Sequence, residues 1–242
     1  MKSTSRDASG NFCVALPFRD LFSGSDRCLD SLSHGLGDSR SIALKRFYNL
    51  ERRLSKDREL QAAYQKFMST YLELGHMVPA PEPGKYFIPH HAVFKADGDV
   101  SKLRVIFDAS SVFSTSRSLN DVLCTGLKLQ VDLGDIVLRC RMHQYILTAD
   151  IVKMYRQILI RSEDRVFQHI FWSDSPNDQL QEFQLCTITY GLNSAPYLAI
   201  RCLHDLDAQD GHHFPLAKGV LTQAAYVDDI VLGADSEELL LR

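Results

Sequence analysis

Two adjacent carboxylates, Asp228 and Asp229, interrupt a run of β-forming residues, with Ala225-Tyr226-Val227 before them and Ile230-Val231-Leu232-Gly233 after. Two such runs separated by two residues specify a tight β-hairpin, the commonest connection between antiparallel strands. The turn pairs that usually make this connection, Asn-Gly or Asp-Gly, are absent. Aspartates have poor strand propensity and adjacent carboxylates repel, so stability alone does not select this tip. A bound divalent cation would remove the conflict. On its own, an Asp-Asp pair is more often a solvated acidic turn, and the rest of the chain has to decide between the two.

A second strand-like run, Tyr145-Ile146-Leu147-Thr148-Ala149, ends on Asp150, and Tyr155 follows five residues later. Phosphoryl transfer on two metal ions needs carboxylates from separate strands, because hard Mg²⁺ takes few protein oxygens and fills the rest of its shell with phosphates and water. Asp150 and Asp228 suit that task only if their strands, far apart in sequence, are neighbours in one sheet. This is the arrangement of a polymerase palm.

Five blocks occur in order: Pro89-His90-His91-Ala92-Val93-Phe94-Lys95, Leu103-Arg104-Val105-Ile106-Phe107-Asp108-Ala109-Ser110-Ser111, the Asp150 run, Thr189-Tyr190-Gly191-Leu192-Asn193-Ser194-Ala195-Pro196, and the Tyr226 hairpin. In these blocks the chain resembles the reverse transcriptase of long-terminal-repeat retrotransposons, most closely the BEL/Pao group. The resemblance runs over about residues 85–240. More loosely, it takes in Val14-Ala15-Leu16-Pro17-Phe18-Arg19 and Leu74-Gly75-His76-Met77.

The resemblance implies an α+β fold of right-hand polymerase type, with fingers and an antiparallel palm sheet backed by helices, the thumb missing. It implies RNA- and DNA-templated DNA synthesis by nucleotidyl transfer on two Mg²⁺ ions, with Mn²⁺ as a substitute. Asp150, Asp228 and Asp229 are its catalytic acids. The ions are assigned to Asp150 and Asp228 with the Ile151 carbonyl, and Asp229 completes the motif.

Lys95 and Arg104, on the two strands of a finger hairpin, would clamp the incoming triphosphate, a task that suits a point charge and a bidentate fork. The resemblance makes Tyr155 the gate that excludes a ribose 2′-hydroxyl. By the same resemblance Tyr190 and Gly191 would lie under the template base and the new pair, with Tyr190 in a stacking role where retroviral enzymes carry Gln. The loop between Lys95 and Arg104 is longer than in the retroviral pattern, which makes Lys102 an alternative to Lys95.

The implied partners are a primed RNA or DNA template, deoxynucleoside triphosphates, and the thumb and RNase H regions of the same polyprotein, since the sequence stops at Arg242 just past the outgoing strand. Two other readings stand beside this one. A catalytically inactive remnant fits the truncation, and a viral RNA-dependent RNA polymerase shares the palm and the double Asp. Those polymerases usually place a second Asp where Tyr155 stands, so the aromatic argues against them.

With 242 residues, 45% of them hydrophobic, the chain can bury a sizeable core in one large domain or two smaller ones. No run is long and apolar enough to span a bilayer and the start lacks the apolar core of a signal peptide, which predicts an intracellular, cytoplasmic protein without a membrane partner. Six scattered cysteines without a Cys-x-x-Cys pair predict reduced thiols. The doublets His90-His91 and His212-His213 are not read as zinc sites, since adjacent strand residues point to opposite faces. A net charge of −3 argues against nucleic-acid binding by attraction alone. Its distribution is uneven: basic residues outnumber acids from Arg40 to Lys66, and acids dominate from Asp205 onward.

In order, residues 1–38 read as largely irregular, with an apolar island from Phe12 to Leu16. Residues 39–84 read as a helical pair and a Pro-rich linker. The first helix is capped at Asp38-Ser39, the second is capped by Ser55 and stopped by Gly75, and Pro79–Gly84 is the candidate boundary. Residues 85–242 form the polymerase segment, with fingers at about 85–143 and 161–189 and palm at about 144–160 and 190–242. Strands are expected over Tyr86 to Lys95, Lys102 to Asp108, Val166 to Trp172 and Glu182 to Thr189. A helix runs from the Tyr190 turn to about Asp207. Residues 120–143 offer packing positions and no chemistry, and 212–220 read as a loop or short strand.

Overall fold

The structure, a computed structural model, describes residues 4–19, 36–94, 103–112 and 115–240. Lys95, Lys102 and Cys28 lie outside them. The chain divides into two compact units, residues 1–125 with 158–195, and residues 126–157 with 196–242. Residues on both sides of the Pro79–Gly84 stretch fall in the first unit.

In the first unit the N-terminal segment is more regular than its composition suggests. Strand β1 (Thr4–Arg6) pairs antiparallel with β2 (Phe12–Val14). The buried carboxylate of Asp164 accepts the Leu16 N–H at 2.8 Å, which fixes the apolar island just after β2. Helix α1 (Ser39–Leu54) starts where expected, with the Asp38 side chain accepting from Ser41 N–H, and buries Ala43, Phe47, Leu50 and Leu54. Helix α2 (Arg58–Glu73) is capped by Asp57 rather than Ser55, through Leu60 N–H. Ser55 instead closes the end of α1, because a carboxylate three residues before Leu60 reaches the orphan amide that the earlier hydroxyl cannot. The stop at Gly75 is a Schellman turn: with φ at +69°, Gly75 N–H donates to Leu72 O and His76 N–H to Tyr71 O.

Strand β3 (Met77–Pro79) joins the edge of a sheet ordered β3-β9-β8, where β8 (His169–Trp172) and β9 (Gln181–Leu185) form an antiparallel hairpin. β8 starts later than the sequence suggests because 162–167 winds into a 3₁₀ helix instead of leading straight into it, and β9 ends at Leu185, short of the expected Thr189. A separate hairpin pairs β4 (His90–Val93) with β5 (Arg104–Phe107), and β7 (Leu159–Ile160) runs parallel to β2. The core is aromatic: Tyr64 stacks on Trp172 at 5.3 Å and Phe87 on Phe171 at 4.6 Å. Within it His90 is fully enclosed. Its Nε2 faces the Phe171 carbonyl, which can only accept, so Nε2 carries the proton and Nδ1 accepts from the Tyr64 hydroxyl.

The second unit holds a three-stranded antiparallel sheet in the order β10-β11-β6, with β6 (Tyr145–Asp150), β10 (Ala225–Tyr226) and β11 (Asp229–Ala234). Helices α4 (Leu133–Cys140) and α7 (Glu237–Leu240) pack against β11. Helix α5 (Ala195–Asp210) begins at the Tyr190 turn as expected, with Pro196 in its first turn, and runs one turn further than predicted. After it, a short 3₁₀ turn at Gly211–His213 leads into the one-turn helix α6 (Val220–Gln223), so 212–220 holds no strand. No helix among the described residues is long and apolar enough to cross a membrane.

Candidate active site

The Asp150 and Tyr226 runs are neighbours in one sheet. β6 and β11 pair along their whole lengths, from Ala234 opposite Tyr145 to Asp229 opposite Asp150. The hairpin turn falls one residue earlier than its sequence suggests: Tyr226 pairs with Asp229, so Val227 and Asp228 form the turn and Asp229 opens β11. Val227 sits at φ +58°, a left-handed conformation that a β-branched residue adopts only under strain. The strain has a use, because Asp229 becomes the register partner of Asp150.

Directly paired residues present their side chains on the same face of a sheet, and like charges placed so are destabilising. Ile151 N–H extends the ladder by donating to Asp228 O at 2.7 Å. The Ile151 carbonyl accepts from Met154 N–H at 3.1 Å and retains a second lone pair. Every residue of β6 is exposed, as are Asp228 and Asp229.

These acids suit a hard divalent cation. They present carboxylate oxygens, they stand in water, and no cation of the protein is hydrogen-bonded to any of them among the described residues. They are not a ready-made cage, since no group of three or more His, Cys, Asp or Glu among the described residues comes together as a metal site. Mg²⁺ takes few protein oxygens, keeping water and substrate oxygens in the rest of its shell, so one or two carboxylates can hold it.

Beyond Asp150 the chain turns through Lys153, at φ +53°, into a 3₁₀ helix over Met154–Gln157 that holds Tyr155 half-buried. Burial raises the Tyr155 hydroxyl above its ordinary pKa, and the negative charge of Asp228 raises it further. The phenol therefore stays neutral and lies within the field of the hairpin acid.

The first unit carries Arg104, Tyr190 and Gly191. Arg104 opens β5 opposite Val93, exposed and with its side chain hydrogen-bonded to no described residue. Tyr190 is half-buried, its hydroxyl accepting from Tyr71 at 3.1 Å and its ring 5.9 Å from that of Phe107. Gly191 has φ +111°, and a Cβ built there would meet the Phe107 carbonyl oxygen at 2.1 Å. The close approach that demands glycine is thus to the protein's own backbone at the end of β5.

One residue that sequence reasoning passed over is central here. Asn120 bonds to Gly191 and Asn193 from the short helix α3 (Leu119–Val122), in a segment read as packing only. The available signal was the capping box: Asp121 accepts from both Ser118 N–H and Ser118 Oγ, which pins the start of α3 and so the position of Asn120.

A search against curated proteins returns no significant match. Among solved structures, the chain is similar to the prototype foamy virus protease-reverse transcriptase CSH mutant, with a TM-score of 0.56 and 18% identity over 75% of this chain. It is also similar to the foamy viral protease-reverse transcriptase dRH in complex with double-stranded DNA, with a TM-score of 0.54 and 20% identity over 74% of this chain. A third similar structure is the foamy viral protease-reverse transcriptase in complex with an RNA/DNA hybrid, with a TM-score of 0.55 and 18% identity over 75%. The chain spans 21%, 27% and 21% of those three chains, and at this identity the likeness is one of fold. The family model described as reverse transcriptase (RNA-dependent DNA polymerase) matches residues 52–242, well over half of the sequence and the whole of the Asp150, Tyr190 and Tyr226 blocks, and the chain belongs to that family.

Proposed function

We propose that this chain is the nucleotidyl-transfer segment of an RNA-directed DNA polymerase of retrotransposon origin, of BEL/Pao type, acting on a primed RNA or DNA template with deoxynucleoside triphosphates. The observation that carries the reading is the opposition of Asp150 and Asp229 across β6 and β11, with Asp228 in the adjoining turn. A sheet gains nothing from two facing carboxylates unless something positive joins them. Asp150 and Asp228, with the Ile151 carbonyl, would hold the divalent cations, Mg²⁺ or in its place Mn²⁺, and Asp229 adds charge beside them. Such ions lower the pKa of a bound hydroxyl and neutralise charge on the transferred phosphoryl group.

The residues of the chain supply position. Arg104 offers a bidentate fork to triphosphate oxygens, and its exposure leaves that fork unspent. Lys95 is assigned the companion charge. The neutral, half-buried Tyr155 ring presents bulk beside the hairpin acid, where it rejects a sugar carrying a 2′-hydroxyl. Tyr190 offers an aromatic face, and Gly191, packed against the Phe107 carbonyl, the backbone of the turn that would lie beneath the base being copied.

The foamy viral relatives bound to double-stranded DNA and to an RNA/DNA hybrid support a nucleic-acid partner for a chain of this fold. Primer extension on an RNA template with the four deoxynucleoside triphosphates, using the full-length polypeptide that carries this chain, tests the reading. Metal-dependent DNA product is expected. Absence of product under conditions where the polypeptide is folded would overturn the proposal in favour of an inactive remnant.

A further inference from the structure

Asn120 uses every hydrogen-bonding group it has. Its backbone N–H donates to Ala109 O at 3.2 Å and its backbone carbonyl accepts from Asn193 Nδ2 at 2.8 Å. Its side-chain Oδ1 accepts from Asn193 N–H at 2.8 Å. The two Nδ2 hydrogens go to Ser110 Oγ and Gly191 O, each at 2.8 Å. The orientation of the amide is settled by these partners: Gly191 O can only accept and Asn193 N–H can only donate, so a flipped amide would lose both bonds.

The partners belong to two segments far apart in sequence. Ala109 and Ser110 follow directly on β5, the strand of Arg104; Gly191 and Asn193 belong to the turn that carries Tyr190. Those segments also meet where the Gly191 backbone lies against the Phe107 carbonyl, a contact that leaves no room for a Cβ. That contact is one of shape, tolerant of sliding and rotation. Asn120 adds direction, because two bonds to peptide groups on either side of Leu192 fix the plane of the turn as well as its distance from β5.

We infer that Asn120 is a positioning residue for nucleotide selection: it locks the Tyr190–Asn193 turn to the Arg104 strand so that both present a preformed surface to the incoming nucleotide. The inference rests on the polymerase reading above for what the surface binds, but the lock itself does not. No other residue type reproduces it. Aspartate keeps the acceptor for Asn193 and sets a negative oxygen against the Gly191 carbonyl. Alanine removes all three side-chain bonds while the two backbone bonds of Asn120 remain.

Two measurements test the inference. In the chain itself, amide hydrogen exchange over residues 190–194 should quicken about tenfold or more in Asn120→Ala, the loss of roughly one net hydrogen bond, with β8 and β9 unchanged. In single-nucleotide incorporation by the full-length polypeptide carrying this chain, Asn120→Ala and Asn120→Asp should raise the KM for the deoxynucleotide by about tenfold, while kcat and template affinity stay within about twofold. Ser110→Ala, which removes only the outer brace, should raise KM by about two- to threefold. An unchanged KM in an active enzyme overturns the inference and leaves the polymerase reading intact. A fall in kcat, template affinity and melting temperature together would make Asn120 a merely structural residue and also overturns it. If the wild-type polypeptide incorporates nothing, the polymerase reading fails and nucleotide selection falls with it; the exchange measurement then decides the lock alone, and unaltered exchange removes that too.

Discussion

Asp150 on β6 and Asp229 on β11 are register partners, so their carboxylates leave the same face of one sheet with Cβ atoms about 5 Å apart. Asp228 is the next residue back, in the turn, and its carbonyl accepts from the residue after Asp150. Three acids thus meet the solvent within one corner of a ladder, uncompensated by a basic partner among the described residues. Such a corner should respond to a divalent cation before any nucleic acid is present.

The first prediction follows from that repulsion. Mg²⁺ should raise the melting temperature of the chain above a control of equal ionic strength, by about 1.4 kcal/mol of stability at ten times its dissociation constant. Asp150→Asn should abolish the shift and, in the absence of metal, leave the protein as stable as wild type or slightly more so. Equal Mg²⁺ responses in the two proteins, followed by calorimetry, would remove the cation from the corner.

A second prediction concerns the turn. Val227 holds φ at +58°, a conformation that costs a non-glycine residue about 1–3 kcal/mol, whereas glycine adopts it freely and loses under 1 kcal/mol through the entropy of its unfolded state. Val227→Gly should therefore stabilise the chain by about 1 kcal/mol in urea unfolding. A clear loss of stability would mean that packing of the half-buried Val227 side chain outweighs the strain.

Acid should weaken the first unit through His90. Burial lowers its pKa from 6.5 to about 4, and its bond to the Phe171 carbonyl opposes that shift only in part. The unfolded chain therefore binds a proton that the folded chain refuses. The contribution is fully present above pH 6.5 and is lost progressively as pH falls toward 4, amounting to about 3 kcal/mol at the acid end. Most carboxylates titrate below pH 5, so the range from 6.5 to 5 isolates histidine. His169, lowered by burial as well, adds in the same direction. Denaturant midpoints measured across this range should fall in wild type and fall less in His90→Gln; equal slopes would clear His90 of the effect.

Tyr155→Ala separates a gate from a core aromatic. As a gate, the ring excludes a ribose by clash, and its loss should admit ribonucleotides far more readily while weakening deoxynucleotide use moderately. As a core residue, its loss would open a cavity costing about 3–5 kcal/mol and depress both activities with the melting temperature. Tyr155 is only half-buried, which favours the gate. An unchanged ratio of ribo- to deoxynucleotide incorporation would refute it.

The parts of the fold that were legible in sequence are those that local chemistry dictates. Asp38 marked the start of α1, Gly75 the end of α2, and the two runs of β-formers around Asp228 the hairpin, because caps, φ angles and strand propensity are written in neighbouring residues. Long-range choices were not. Asp57 displaced Ser55 as a cap by its reach to Leu60, and the partners that hold the segment after β1 and β2 lie far along the chain, with β7 pairing with β2 and Asp164 accepting from Leu16. The turn shifted onto Val227 since pairing Asp229 with Asp150 continues the ladder that β6 and β11 make along their length. Asn120 was invisible for a related reason: an asparagine on a one-turn helix looks ordinary until the Tyr190 turn folds against it.

The central claim is that Asp150 and Asp228 carry the cations of nucleotidyl transfer, and single-turnover incorporation of one deoxynucleotide by the full-length polypeptide carrying this chain tests it most directly. Metal charge acts mainly on the transition state, so Asp150→Asn and Asp228→Asn should each slow the chemical step by about a thousandfold or more while template affinity stays near wild type. Incorporation within about tenfold of wild type by either variant, a loss of under 1.4 kcal/mol in the barrier, would contradict the claim.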